Sequence, residues 1–131
     1  MVLLSGWQLS IFWLQKFNNK RMKVTTKGHT IIIKDTEGDI LLFLEKINSQ
    51  YNSFKDFNLI LDISHDESVD DKAIMIFSEL SKKHIQSKKS FVLVLQNIDF
   101  NKIPASLLVV PSLLEAQDII QMDEIERDLG F

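Results

Sequence analysis

Residues 58–63 read Asn58-Leu59-Ile60-Leu61-Asp62-Ile63, and this stretch decides the fold. Its apolar residues follow one another without the alternation of a half-exposed strand, so both faces are expected to be buried. A strand covered on both faces belongs inside a parallel sheet packed by helices. A second such run, Phe91 to Leu95, lies downstream. Between the two, the spacing predicts a helix from about Asp70 to Gln86, with Ala73, Phe77, Leu80 and Ile85 on its inner side.

The pattern extends in both directions. Lys23 to Lys27 reads as a short strand, Gly28-His29 as a turn, and Thr30 to Lys34 as a β-branched strand. A helix then carries Ile40, Phe43, Leu44, Ile47 and Tyr51 at helical spacing. Past Leu95, Asn97 to Pro104 is a loop and Leu107 to Val110 a last strand stopped by Pro111. A final helix spans Ser112 to Met122, with Asp123 to Leu129 as a second short one. Thr36-x-x-Asp39, Ser68-x-x-Asp71 and Ser112-x-x-Glu115 each place a hydroxyl three residues before an acid, the pattern of a helix start. The expected order is β-β-α-β-α-β-β-α. The fold class is therefore α/β: a small mixed, mostly parallel sheet with an antiparallel N-terminal edge pair, packed by three to four helices.

Composition agrees with one domain. The chain has 131 residues, 45% hydrophobic and 25% charged, enough to bury a single core and too apolar for a disordered chain. It has no cysteine, which removes disulfides, zinc–thiolate sites, iron–sulfur clusters and a thiol nucleophile. A net charge of -3 argues against nucleic acid as a direct partner.

Residues 1–21 stand apart. They carry +3, from Lys16, Lys20 and Arg21, and both tryptophans, Trp7 and Trp13; the rest of the chain carries -6. The stretch Val2 to Leu14 is too short for a membrane span and lacks the features of a secretory signal. The favoured reading is an extension upstream of a true start at Met22. A weak interfacial anchor, with Trp and Phe toward lipid, is the second reading and a signal-like apolar region the third. Residues 22–131 then form the single domain.

Few residues suggest catalysis. The glycines build no phosphate-binding loop, and there is no nucleophile elbow. His29, His65 and His84 lack metal-ligand spacing and read as solvated side chains. Asp62, Asp66, Glu67, Asp70 and Asp71 gather near the end of the third strand, where ligands bind in open α/β sheets. A metal-dependent enzyme using Asp62, Asp66 and Asp70 is thus one alternative. A phosphoacceptor constellation would want paired acids after the first strand, where residues 28–30 are Gly-His-Thr. Lys82-Lys83 and Lys88-Lys89 suit a helix C-terminus, and the six acids from Glu115 to Asp128 suit a solvated helix face.

The strand ending Leu61-Asp62-Ile63-Ser64, the acid-rich helix start, the strand Phe91 to Leu95, and Pro111-Ser112-Leu113-Leu114-Glu115-Ala116 together resemble a STAS domain, over about Met22 to Ile120. That is the domain of anti-sigma factor antagonists and sulfate transporter tails. The resemblance implies a non-catalytic, regulatory, cytoplasmic module of bacterial type that takes no cofactor and no metal. It implies a partner-binding surface at the start of the helix after the third strand, here Ser68, Val69, Asp70, Asp71, Lys72 and Met75. Antagonists of this type carry Asp-Ser-Ser-Gly there. This chain has Asp70-Asp71-Lys72-Ala73, so the phosphorylatable position falls on Lys72 and the phosphoserine switch is absent. The expected partner is another protein rather than nucleic acid or a membrane, bound by a monomer or weak homodimer. Because Ile74, Met75 and Ile76 are consecutive, at least one must point away from the core. Short chains of this pattern are sometimes labelled ribonuclease Z. The His-x-His-x-Asp-His cluster of that enzyme is missing here, so the physical content of that label would be an accessory protein of tRNA processing.

Overall fold

The computed structural model describes residues 22–130. The expectations for residues 1–21 lie outside the described residues. Five strands form one sheet in sequential order: β1 (Met22–Lys27), β2 (Thr30–Asp35), β3 (Asn58–Asp62), β4 (Phe91–Val94) and β5 (Val109–Val110). β1 and β2 are antiparallel, and β2, β3, β4 and β5 run parallel. Gly28 turns the chain between β1 and β2 at φ 61, in the left-handed region that favours glycine.

Among the described residues, four α-helices pack the sheet: α1 (Ile40–Ser49), α2 (Tyr51–Phe54), α3 (Ser78–Gln86) and α4 (Leu113–Asp128). The alternation along each strand sorts side chains between two cores. Ile31, Ile33, Leu59, Leu61, Phe91 and Leu93 meet α1, α2, α3 and the segment before α3 in the larger core. Ile60, Val92, Val94 and Val110 meet Ala116 and Ile120 of α4 on the other face. The run at residues 58–63 is continuous because β3 is covered on both sides.

Several expectations are corrected. Thr36 does not cap α1: Asp39 is the N-cap and accepts from Leu42 N. The helix expected from Asp70 begins as a 3₁₀ segment, Ala73–Phe77, and becomes α only at Ser78. Its β-branched and aromatic residues crowd an α-turn, and three residues per turn bring Ile74 and Phe77 to one side, where both are buried. Ile85 is 49% exposed, and the inner position belongs to His84. The last strand shortens to Val109–Val110, and the last helix is one piece. Ser112 does cap it, accepting from Glu115 N at 3.2 Å.

Candidate functional site

The parallel strands deliver their carboxyl ends to one edge of the sheet. β2 ends there in Asp35 and β3 in Asp62. Alternation from Ile31 and Ile33 turns Asp35 inward, and it is 1% exposed. Its Oδ1 accepts from Glu37 N at 3.0 Å, while Oδ2 is buried without a hydrogen-bond partner. Burial pushes this carboxyl above the usual aspartate range; the backbone N–H groups of Glu37 and Gly38 and the charge of His65 oppose the shift, and Asp66 adds to it. Gly38, at φ 75, folds the next loop back until its Cα side faces His65 and Asp66. The sequence alone directs the search for acids to residues 28–30, after β1. The first parallel strand is β2, so the acid stands at its end instead.

The acids after β3 serve their own loop. Asp62 Oδ1 accepts from the backbone N–H and hydroxyl of Ser64. Asp66 Oδ1 accepts from Ser68 N at 3.0 Å and from Ser68 Oγ at 2.6 Å. Asp70 Oδ1 accepts from Ala73 N at 2.8 Å and so starts the 3₁₀ segment. Ser68 is therefore a donor to Asp66 and not the helix cap expected of it. Asp62, Asp66 and Asp70 are turned to separate backbone tasks. Among the described residues, no group of three or more His, Asp or Glu side chains is placed to hold a metal ion.

Beside these loops lies a shallow groove of about 280 Å³, lined by Ile40, Leu41, Asp66, Ser68, Val69, Ala73 and Ile76. It sets the first turn of α1 against the 3₁₀ segment. Leu41 is 64% exposed and Met75 43% exposed. The consecutive run Ile74-Met75-Ile76 thus turns Met75 outward, buries Ile74 and leaves Ile76 half-buried. Of the residues expected to meet a partner, Ser68, Asp70, Lys72 and Met75 are exposed and Asp71 is half-buried. Val69 is corrected: it is 6% exposed and belongs to the larger core. Leu41 escapes the sequence reading, because its helical spacing with Ile40 and Leu44 hides which of three neighbouring apolar residues faces outward.

Two polar networks also escape it. His84 is fully buried, against the expectation of a solvated ring. Its Nε2 lies 2.6 Å from the Phe57 carbonyl oxygen, which only accepts, so Nε2 carries the proton. Nδ1 then accepts from the Tyr51 hydroxyl at 2.8 Å. Burial lowers the His84 pKa, the bond to Phe57 opposes this and Lys89 adds to it. Burial raises that of Tyr51. At the amino ends of β3 and β4, Arg127 donates to Ser90 Oγ and Asn58 Oδ1, Ser90 Oγ donates to Asp123, and Ser90 N donates to Asn58 Oδ1. This network pins the end of α4 to the sheet.

No helix among the described residues is long and apolar enough to cross a membrane. The sequence matches no family model and no curated protein.

Proposed function

We propose that this chain is a non-catalytic, protein-binding regulatory module of the STAS kind, resembling anti-sigma factor antagonists but working without a phosphoserine switch in the cytoplasm. One observation carries the reading: Leu41, well exposed, lines a groove with Ile40, Val69, Ala73 and Ile76, and Met75 stands exposed on the same 3₁₀ segment that supplies Ala73 and Ile76. Large apolar side chains flanking an apolar groove are what a protein partner desolvates. The five-stranded sheet with an antiparallel β1–β2 pair also accords with a STAS-like layout. Lys72 occupies the place of the phosphorylated serine, so control falls to the partner's abundance or to another residue.

The test is capture from the source cell with the full chain as bait. Leu41→Asp with Met75→Asp abolishes stoichiometric capture and leaves the unfolding midpoint within about 0.5 kcal/mol of the parent, as expected of exposed positions. Undiminished capture by the double variant places the partner elsewhere and overturns the reading.

A further inference from the structure

Among the described residues, the face of the sheet that carries α4 is only half covered. α4 packs on β3, β4 and β5. Five strands about 4.8 Å apart span about 19 Å, and one helix is about 10 Å wide, so β1 and β2 leave room for a second helix. Next to α4 this half begins at a groove of about 260 Å³ floored by Lys27, Thr30 and Ile32 and walled by Gln117, Asp118, Gln121 and Glu124.

This floor is cationic. Lys23, Thr25 and Lys27 of β1 are exposed on it, opposite Lys34, Ile32 and Thr30 of β2. Lys23 directly faces Lys34, a like-charge pair that favours an anionic cover. None of the three lysines forms an ion pair among the described residues. Conversely, the outer side of α4 is apolar and acidic. Met122, Ile125 and Leu129 are each more than half exposed and share one stripe at i, i+3 and i+7. Asp118 extends that stripe, and Glu115, Glu126 and Asp128 are also exposed.

The geometry points to a two-fold homodimer in which α4 of each copy fills the empty half of the other copy's sheet. A two-fold axis parallel to the strands, running between the two α4 helices, achieves this for both copies at once. Such an axis preserves height along the strands, and the charges then match. Glu124 stands level with His29, 2.9 Å away. Rising about 1.5 Å per residue, Asp118 and Glu115 lie about 9–14 Å higher. Lys34 lies about 13 Å above Thr30 at about 3.3 Å per residue, with Lys23 opposite it. The acids therefore reach the lysine pair, and Met122 and Ile125, within about 3 Å of Glu124 in height, fall over Lys27 and Thr30. The two helix footprints bury roughly 1,000 Å² in all, the lower limit of a specific interface, so the dimer is weak. The chain's own residues 1–21 fit this floor less well: they hold Lys16, Lys20 and Arg21 and no acid, like charges against Lys23, Lys27 and Lys34.

The absence of cysteine makes the test direct. Thr25→Cys and Met122→Cys are made in separate full-length chains, mixed, and treated with a short bismaleimide. The expected product is a covalent heterodimer joining the two variants. Sedimentation should show self-association that weakens about tenfold or more in Ile125→Lys. Lys34→Glu should weaken it too, and adding Asp118→Lys should restore it. Circular dichroism confirms that each variant is folded. A chain that stays monomeric at every concentration overturns the proposal, as does a product that joins like variants only.

Discussion

Tyr51→Phe deletes one oxygen and tests the clasp between α2 and α3. In the native fold the Tyr51 hydroxyl donates to His84 Nδ1, and His84 Nε2 donates to the Phe57 carbonyl. Removing the hydroxyl leaves Nδ1 a buried acceptor without a donor, a penalty of about 1–3 kcal/mol, while the phenol's own desolvation is relieved. The expected net loss is about 1–2 kcal/mol. For a domain of this size that lowers Tm by about 4–8 °C per kcal/mol. The ring itself stays, with Lys83 Nζ 4.3 Å from its centroid, so the loss measures the hydrogen bond and not the packing.

The same clasp sets a pH dependence. Burial holds His84 below its ordinary value of 6.5, so the unfolded chain takes up a proton that the native fold refuses. The resulting stability is fully present above about pH 6.5 and is lost as pH falls toward the native value, with a limiting slope of about 1.4 kcal/mol per pH unit. Asp35 acts in the opposite sense. Burial raises its pKa above 3.8, so the native state binds the proton first and gains stability as pH falls through the native value. Asp35→Asn is therefore the background in which the His84 slope is read. Guanidinium unfolding is followed by far-ultraviolet circular dichroism, which reports the four helices of the described residues. A Tyr51→Phe chain within about 0.5 kcal/mol of its parent, or stability unchanged between about pH 7.5 and about pH 5.5, refutes the assignment of proton and acceptor at His84.

Arg127→Ala removes the donors to Ser90 and Asn58 and is expected to lower stability by about 1–2 kcal/mol; Arg127→Lys recovers less than half of it, because an ammonium cannot span both acceptors, and denaturant midpoints separate the three chains. Asp35→Asn keeps the acceptor for Glu37 N and removes a buried anion with one unpartnered oxygen, so stability at about pH 7.5 should rise by about 1 kcal/mol; a loss there would show that the second oxygen has a partner in solution.

The sheet is legible because its strands are written in unambiguous runs. Ile31-Ile32-Ile33, Leu59-Ile60-Leu61 and Phe91-Val92-Leu93 leave no helical alternative, and the helices between them dictate parallel pairing. The helix starts are less legible, because a serine or threonine three residues before an acid matches several local hydrogen-bond patterns. At Ser112 the backbone N–H of Glu115 wins; at Ser68 the nearby Asp66 carboxylate competes better for the hydroxyl. His84 is hidden for a different reason. Spacing from Phe77 and Leu80 already places residue 84 inward, but an apolar Ile85 next to it is the usual choice for a core. The pocket instead supplies an acceptor and a donor to a ring whose two nitrogens need one of each. Asp35 is visible in principle, since the period that buries Ile31 and Ile33 buries it too.

The strand order explains why both surfaces lie where they do. With strands laid down 1-2-3-4-5, the elements that cross from β2 to β3 and from β3 to β4 share a face, and their buried side chains join one core. At the carboxyl ends of the strands, α1 and the 3₁₀ segment leave a groove between Leu41 and Ile76. Among the described residues, the opposite face is served by one helix, α4, which the chain forms after leaving β5. The half that the described residues leave uncovered there follows from the strand order, and Lys23, Lys27 and Lys34 are its exposed charges. A second copy set on that half would leave the groove of each copy free on the outer side. The dimer would then present two identical grooves on opposite sides, so self-association and partner binding draw on separate side chains and can be broken independently.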